Sequence, residues 1–350
     1  MLRSKGLDVD FWTVTKEERT DDPGLVKTIL ALPVRILQAI RILRKNKLQQ
    51  GTVVVSYTDL FYDLFPMLFT RGKQTKRVSP FFQIMPNPFK GYRGIFTGKI
   101  KAPTLRETAA FIQQKLSLWC LKHVCDFIFS LRNIQYFLTD RGISENKIVS
   151  FSPGIDWEAV NHAVADGKRY DACWMGRYNP MKGCDDLLSI WELVCKERTE
   201  AKLAIMGSAS KQMEPLIKER HLGKNIDVLG FVTDEVKFRT LKESKVFPFP
   251  SYYESWGMVA SEALACGLPV VAYDLPVYRT IYTQGVIKVP IGDQQNFACQ
   301  LIEILKDENL RKQLAQEAVD LASHWKWDKV YEDFLGGINH TNRLLGRSRV

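Results

Sequence analysis

Residues 245–273 read KVFPFPSYYESWGMVASEALACGLPVVAY, and the architecture can be predicted outward from this stretch. Residues 245–249 have the apolar pattern of a buried strand that Pro250 ends, residues 256–266 have helical periodicity, and residues 269–273 form the next strand. A strand, a helix and a second strand in this order make a βαβ unit with parallel strands. The stretch therefore predicts an α/β fold.

Two carboxylates lie inside this unit. Glu254 follows the first strand, and Glu262 lies about two turns into the helix. Ligands of such units bind at the carboxyl ends of the strands, where the next helix offers free N–H groups, and Gly257 lets the backbone come close. Ionised carboxylates only accept hydrogen bonds, which suits the hydroxyls of a sugar or ribose. The alternative is one solvated helix residue and one loop residue.

The surrounding residues resemble a known signature. The donor-binding pattern of the retaining glycosyltransferases of family 4, which have the GT-B fold, is P-S-x-x-E-x-[FW]-G followed by E-A-x-A-x-G-x-P-V-V. This chain has PSYYESWG at residues 250–257 and EALACGLPVV at residues 262–271. The resemblance implies that Glu254 holds the transferred sugar and Glu262 the ribose. The donor-binding residues that it implies here are Glu254, Ser255, Trp256, Gly257, Met258, Val259 and Glu262.

A second cluster supplies positive charge. Residues 170–176 read as a strand, and Arg177 and Lys182 follow in a loop that opens a helix at residues 184–195. Arginine and lysine suit phosphate oxygens, although in a loop they are often only solvated surface charges. The spacing resembles the G-R-x4-K-G element of the same family. That resemblance implies that Gly176, Arg177 and Lys182 clamp the donor diphosphate.

Further along the chain, two more strands end in glycine. The resemblance places Gly207 near the diphosphate, and it assigns backbone contacts with the nucleobase to the turn Gly230-Phe231-Val232. Backbone contacts leave the choice among uridine, guanosine and adenosine open. The implied donor is a nucleoside diphosphate sugar, with no metal and no other cofactor.

The implied architecture is GT-B, with two Rossmann-like doubly wound domains facing a central crevice. We expect an acceptor-binding domain at residues 1–165, a nucleotide-sugar domain at residues 166–325 and a C-terminal helix at residues 326–350 that packs back on the first domain. Gly154 lies in a turn resembling the N-G-V-D turn of the family. It is expected to face the crevice and approach the donor phosphates.

The chain departs from the family pattern at two places. It opens at residues 6–12 with a match to the second strand, so the first βα unit is missing from the pattern and the activity of the chain is in question. Residues 77–87 contain no histidine where many relatives have one, and Gln83 is the nearest polar candidate for the N-domain crevice. The triplet Asp8-Val9-Asp10 is interpreted as strand, not as a metal site.

Charge is distributed unevenly over the 350 residues. Residues 1–150 hold 24 Lys and Arg against 12 Asp and Glu, whereas the remaining residues hold 25 against 27. A basic first half predicts an anionic partner, and no nucleic-acid motif accompanies the charge. Residues 25–47 combine apolar residues at helical spacing with six basic ones, which fits either a helix on an anionic membrane or a core helix interrupted by Pro33.

The cellular location is predicted from targeting and membrane-spanning features that the sequence lacks. It shows no apolar run of about 18 residues and no signal peptide. Its seven cysteines include no CxxC pair, which is typical of reduced thiols. We expect a cytoplasmic protein with a peripheral position on the inner face of the membrane.

The predicted activity is transfer of a hexosyl unit, with retention, from a nucleoside diphosphate sugar to a glycan or lipid-linked acceptor in cell-surface polysaccharide or glycolipid synthesis. Glu254, Arg177 and Lys182 are the implied catalytic residues. Two alternatives stay open: a donor-binding or regulatory protein that does not transfer, and a sugar-nucleotide epimerase of the same fold. A dehydrogenase is disfavoured because no G-x-G-x-x-G turn follows a strand.

Overall fold

The computed structural model describes residues 25–45, 48, 52–56, 58–70, 75–84 and 104–344. These residues form two compact units. The first contains the described residues up to Ser130 together with Gln135–Ser150, and the second contains Leu131–Ile134 and Phe151–Arg343. The predicted opening strand, the Asp8-Val9-Asp10 triplet and residues 345–350 of the predicted last helix lie outside the described residues.

The first unit is built on a parallel sheet. Its elements are α1 (Leu25–Lys45), β1 (Val53–Val55), α2 (Phe61–Leu64), β2 (Lys76–Phe81), α3 (Leu105–His123), β3 (Phe127–Leu131), α4 (Gln135–Thr139) and β4 (Ile148–Phe151). The strand order is β1-β2-β3-β4, and the pairs β1–β2 and β2–β3 are parallel. The start of α3 is fixed by a capping box, in which Thr104 accepts from the backbone of Glu107 and the Glu107 side chain accepts from the backbone of Thr104.

Helix α1 runs through Pro33 without a break. It packs against the 3₁₀ helix Phe65–Phe69, and the Arg44 guanidinium lies 5.1 Å from the centroid of the Phe69 ring. Leu43 is buried, whereas Val34 and Leu37 are each more than half exposed. The helix therefore combines one packed face with apolar residues on the surface.

The second unit has a six-stranded sheet. Its elements are α5 (Trp157–His162), β5 (Tyr170–Met175), α6 (Cys184–Glu197), β6 (Leu203–Met206), α7 (Ser210–Glu219), β7 (Ile226–Gly230), α8 (Asp234–Lys242), β8 (Ser244–Phe249), α9 (Met258–Ala265), β9 (Val270–Tyr273), β10 (Val286–Val289), α10 (Gln294–Lys306), α11 (Glu308–Ala322) and α12 (Trp327–Leu344). All of its strand pairs are parallel, in the order β10-β9-β8-β5-β6-β7.

This strand order creates a reversal in the middle of the sheet. The chain moves outward from β5 through β6 to β7, returns to the other side of β5 at β8, and then moves outward through β9 to β10. The neighbours β5 and β8 therefore send their following loops to opposite faces of the sheet, which opens a crevice at their carboxyl ends. That place holds both of the predicted donor-binding loops.

The core of the second unit explains why these strands are almost continuously apolar. All four residues of β6 are fully buried, and the large side chains of Trp174, Trp191 and Phe297 are packed in the same cluster. A parallel sheet covered on both faces requires this pattern. The prediction of two α/β units with parallel sheets is confirmed.

The predicted helix at residues 256–266 is slightly shorter in the structure. Helix α9 begins at Met258 because Gly257, its N-cap, has a φ of 93°, a left-handed value that a helix cannot include. Among the described helices, none is both long enough and apolar enough to cross a bilayer.

Candidate active site

The loops after β5 and β8 are packed together. Gly183 ends the first loop with a φ of 66°, and a Cβ atom at this position would lie 2.0 Å from the carbonyl oxygen of Pro250. The backbone N–H of Tyr252 donates to the carbonyl oxygen of Met181 at 2.9 Å. Only glycine permits this approach, so its place after Lys182 fixes one loop against the other.

Lys182 and Glu254 meet across these loops. The Lys182 ammonium donates to Oε1 of Glu254 in an ion pair, and the Ser251 hydroxyl donates to the same oxygen at 3.0 Å. The Glu254 side chain is 9% exposed and that of Lys182 is 27% exposed. The structure thus brings together a cation and a carboxylate that were predicted for the diphosphate and the sugar.

Arg177 is exposed near the beginning of the same loop as Lys182. Within the described part of the chain, its guanidinium forms no ion pair. Its five donors are therefore available to an anion.

The three glycines at the carboxyl ends of β5, β6 and β7, which are Gly176, Gly207 and Gly230, lie close to one another. Gly207 N–H donates to the carbonyl oxygen of Gly230 at 2.7 Å, and a Cβ atom at Gly207 would lie 2.6 Å from the carbonyl oxygen of Gly176. Beyond this edge Phe231 is 89% exposed, and Val232 is partly exposed. The predicted diphosphate and nucleobase positions therefore belong to one edge of the sheet.

The turn at Trp256 and Gly257, just before α9, is hydrogen-bonded to a buried tyrosine. The Tyr282 hydroxyl lies 2.8 Å from the carbonyl oxygen of Gly257 and 3.0 Å from that of Trp256. Trp256 is buried, whereas Met258 is 39% exposed and Val259 is partly exposed. The start of α9 is thus partly at the surface through Met258 and Val259, and the free N–H groups of a helix start attract anions.

Asn133 reaches the same turn from the short segment Leu131–Ile134. Its Nδ2 donates to the carbonyl oxygens of Ser255 at 2.7 Å and Val277 at 3.3 Å. Asn133 is buried, and its Oδ1 accepts no hydrogen bond within the described structure. The amide therefore ties the loop that carries Glu254 to the chain that precedes Tyr278.

Glu262 is paired with a lysine that the sequence analysis did not identify. Lys237 of α8 donates to Oε1 of Glu262 at 2.8 Å and to Oδ1 of Asp234 at 2.8 Å. Burial favours a lower pKa for Lys237, but its hydrogen bonds with the two carboxylates outweigh burial and raise that pKa. Burial also raises the pKa of Glu262, an effect that the lysine opposes.

A buried carboxylate lies beneath the two loops. Asp186, in the first turn of α6, accepts hydrogen bonds from the hydroxyls of Tyr252, at 2.6 Å, and Tyr273. The neighbouring carboxylate and burial raise the pKa values of both tyrosines, with burial the larger cause. This network connects the helix after Lys182 with the loop before Glu254.

Two residues predicted for the N-domain crevice have other neighbours in the structure. A Cβ atom at Gly154 would lie 2.4 Å from Cδ2 of Trp327, so this glycine makes room for the indole ring. Gln83 is exposed just after β2, and its carbonyl oxygen accepts from Nε2 of Gln114 at 2.9 Å. Their contacts with a donor or acceptor stay predictions.

The residues that sequence reasoning missed share one feature, because each is polar and buried by tertiary packing. Lys237 and Asp186 lie in helices whose sequences look like ordinary solvated faces, and Asn133 lies in a segment without a motif. Only contacts with distant residues distinguish them. In the described part of the chain, no three His, Cys, Asp or Glu side chains are grouped as metal ligands.

Comparison with known proteins identifies a matching family and proteins with the same fold. Residues 156–320 match the family model of the glycosyl transferases group 1. Phosphatidyl-myo-inositol mannosyltransferase of Mycobacterium leprae is 30% identical over 161 residues, which cover 45% of this chain and 43% of that protein. The chain spans less than half the length of this curated relative.

Solved structures with the same fold cover more of the chain. Sucrose-phosphate synthase of Thermosynechococcus elongatus matches with a TM-score of 0.69 at 16% identity, over 92% of this chain and 80% of that one. HepE of Anabaena, in complex with UDP-glucose, matches with a TM-score of 0.65 at 14% identity, over 89% and 81%. The fold is GT-B.

Proposed function

We propose, from the membership of residues 156–320 in the glycosyl transferases group 1 family, that this chain is a retaining glycosyltransferase that needs no metal. It moves a hexosyl unit from a nucleoside diphosphate sugar to a hydroxyl of a glycan or lipid-linked acceptor, in cell-surface polysaccharide or glycolipid synthesis. A relative that acts on phosphatidyl-myo-inositol by name and a neighbour that binds UDP-glucose support these substrate classes.

The observation that carries the proposal is the contact between Lys182 and Glu254. A diphosphate sugar has its negative charge and its hydroxyls a few bonds apart, so its site needs a cation and a hydrogen-bond acceptor side by side. The two loops provide this pair at the carboxyl ends of β5 and β8, and the Ser251 hydroxyl orients the carboxylate.

Leaving-group stabilisation is the main catalytic task in this proposal. The bond between the anomeric carbon and the diphosphate oxygen breaks, the acceptor oxygen bonds to the same face of that carbon, and the acceptor proton passes to a phosphate oxygen. Arg177, Lys182 and the start of α9 at Met258 stabilise the negative charge that grows on the diphosphate. Such fixed charges and dipoles supply a large part of many enzymes' rate enhancement.

The remaining donor contacts follow from position. Glu254 accepts hydrogen bonds from the transferred sugar, and Glu262 accepts them from the ribose. Gly207 leaves room for the diphosphate, and the backbone from Gly230 to Val232 faces the base. Exposure of Phe231 after Gly230 and of Met258 at the start of α9 supports this arrangement.

The basic half of the chain supports a peripheral position at an anionic membrane. Helix α1 carries Arg35, Arg41 and Arg44 beside the exposed apolar residues Val34 and Leu37. Basic and apolar side chains on one helix suit the interface of an anionic bilayer. A lipid-linked acceptor would be met at that surface.

The test is a panel of UDP-, GDP- and ADP-sugars added to the purified chain, with thermal stability and slow donor hydrolysis followed together. One class of donor is expected to stabilise the protein by about 2.7 kcal/mol at 100 times its dissociation constant, and to be hydrolysed. Stabilisation without hydrolysis would instead favour a donor-binding protein, and conversion of the donor to its epimer would favour an epimerase. No response to any donor would contradict the proposal.

A further inference from the structure

Lys237 is a buried cation, and the residues that its ammonium contacts belong to the second unit. Its side chain is 9% exposed, and its Nζ lies 2.8 Å from Oδ1 of Asp234 and 2.8 Å from Oε1 of Glu262. The ammonium also lies 4.2 Å from the centroid of the Phe238 ring. Lysine is rarely buried without such partners, because its charge must be compensated.

The two carboxylates are not equivalent partners. Asp234 is 78% exposed and lies one turn away on the same helix, so water could replace the lysine there. Glu262 lies on α9 and is 18% exposed. The pair with Glu262 therefore joins two helices, and it is the contact that water replaces least easily.

This contact makes the two carboxylate oxygens of Glu262 inequivalent, because only one of them accepts from Lys237. Oε1 accepts the lysine hydrogen bond and keeps part of its acceptor capacity, and Oε2 remains a second acceptor for other donors. A lysine that fixes one oxygen also fixes the plane of the carboxylate and favours its ionised form. An ionised carboxylate held in a set plane is suited to hydroxyl groups of a ligand.

We propose that Lys237 is a positioning residue that sets Glu262 to accept hydrogen bonds from the ribose hydroxyls, so that the pair distinguishes ribonucleotides from nucleotides without those hydroxyls. This inference rests on the proposed function, in which Glu262 contacts the ribose. Lys237 acts through Glu262 and does not itself contact the reacting atoms.

The test compares nucleoside diphosphates with and without the hydroxyls. Dissociation constants of UDP, GDP and ADP and of their 2′,3′-dideoxy forms are measured by calorimetry for the full chain. For the base that binds, wild type is expected to prefer the ribonucleotide by about tenfold or more, the strength of hydrogen bonds to a charged acceptor. Lys237→Met is expected to remove most of this preference by weakening only the ribonucleotide.

Four further variants separate this role from a structural one. Glu262→Gln is expected to lose the same preference, and the double variant Lys237→Met/Glu262→Gln is expected to lose no more. Lys237→Arg, which keeps the charge, should restore most of the preference. Arg239→Met removes a cation from an exposed position of the same helix and should leave the preference unchanged.

The outcomes also separate this inference from the function on which it rests. If Lys237→Met binds both forms of the nucleotide with the wild-type ratio, or weakens both equally, Lys237 only ties α8 to α9 and the inference is wrong, while the proposed function stands. If wild type binds none of the nucleoside diphosphates, the proposed function itself fails.

Discussion

Lys182 and Glu254 are 72 residues apart in the chain and form an ion pair that joins the loop after β5 to the loop after β8. In this pair the carboxylate of Glu254, which is proposed to bind sugar, neutralises the ammonium of Lys182, which is proposed to bind phosphate. If a donor diphosphate takes Lys182, as proposed, Glu254 is expected to gain freedom to accept hydrogen bonds from the sugar. Recognition of the two halves of the donor would then be coupled.

This coupling predicts opposite effects of Glu254→Gln on chemistry and on binding. Donor hydrolysis and transfer are expected to fall by at least about a hundredfold, because the sugar loses a charged acceptor. Affinity for the nucleoside diphosphate without sugar is expected to stay or rise, because Lys182 loses its counter-charge. Turnover assays and calorimetry measure the two effects.

The control for this variant is Glu235→Gln, which alters an exposed glutamate of the same unit. It should leave both quantities unchanged. Full turnover in Glu254→Gln would remove Glu254 from the catalytic residues.

Lys182→Ala is expected to weaken binding of nucleoside diphosphates by about tenfold or more, because a charge-assisted contact with phosphate is lost. Nucleoside binding without phosphates should not change. Lys196→Ala, which removes a cation from an exposed position on α6, serves as the control in the same calorimetric titration. Equal affinities of Lys182→Ala and wild type for the diphosphate would contradict the phosphate role.

Gly183→Ala is expected to destabilise the protein by at least about 2 kcal/mol, from left-handed backbone strain and overlap with Pro250. Donor hydrolysis should fall as well, because the two loops lose their register. Gly223→Ala, where an added Cβ meets nothing within 4 Å, should change neither. Denaturant unfolding measures the stability of both variants, and donor hydrolysis measures their activity. A Gly183→Ala variant as stable as wild type would show that the two loops tolerate separation.

Asp186→Asn tests the buried network under the loops. An amide cannot accept from the hydroxyls of Tyr252 and Tyr273 as strongly as a carboxylate, so a loss of about 1–3 kcal/mol in the free energy of unfolding is expected. Asp185→Asn alters the exposed neighbour in the same helical turn and should cost little. A smaller loss for Asp186→Asn than for Asp185→Asn would mean that the network does not stabilise the site.

The first unit yields a prediction about pH. Burial raises the pKa of Asp59 to about 6, with the nearby Asp63 adding to the shift. The native state therefore holds this proton more tightly than the unfolded chain, and ionisation of Asp59 costs stability as the pH rises through the interval from about 4 to about 6. Asp59→Asn should be more stable than wild type at pH 7.5, on the order of 2 kcal/mol, and equal to it near pH 3.5.

Thermal unfolding of both proteins across this range measures the difference. A constant difference between pH 3.5 and pH 7.5 would contradict the raised pKa. Glu235→Gln, at an exposed carboxylate, should show no such pH dependence.

The sequence predicted most of the second unit because its signals are local. The strand before Pro250, the loop with Glu254 and the strand from Val270 follow from apolar runs and turn residues, and the structure has them with small shifts at their ends. The start of α9 differs because the left-handed geometry of Gly257 is invisible in a periodicity. Proximity of the two predicted loops depends on the neighbouring positions of β5 and β8 in the sheet, which the apolar runs do not specify.

The supporting residues could not be predicted in this way. Lys237 is four residues past Thr233 in a helix rich in charge, where a solvated lysine is the ordinary interpretation. Its burial depends on Glu262, 25 residues later, and on the packing of α8 beside α9. Asp186 and Asn133 likewise acquire their roles from partners more than 60 residues away.

Hydrogen exchange followed by mass spectrometry, with and without the nucleoside diphosphate sugar that stabilises the chain, tests most directly whether the loops after β5 and β8 bind the donor. Ligand binding slows exchange of the amides that it orders. We expect slower exchange in peptides covering residues 176–183, 207–209, 230–233 and 254–262, with weaker protection of the same peptides in Lys182→Ala at a ligand concentration near the wild-type dissociation constant. Protection confined to other peptides would show that the loops after β5 and β8 are not the donor site.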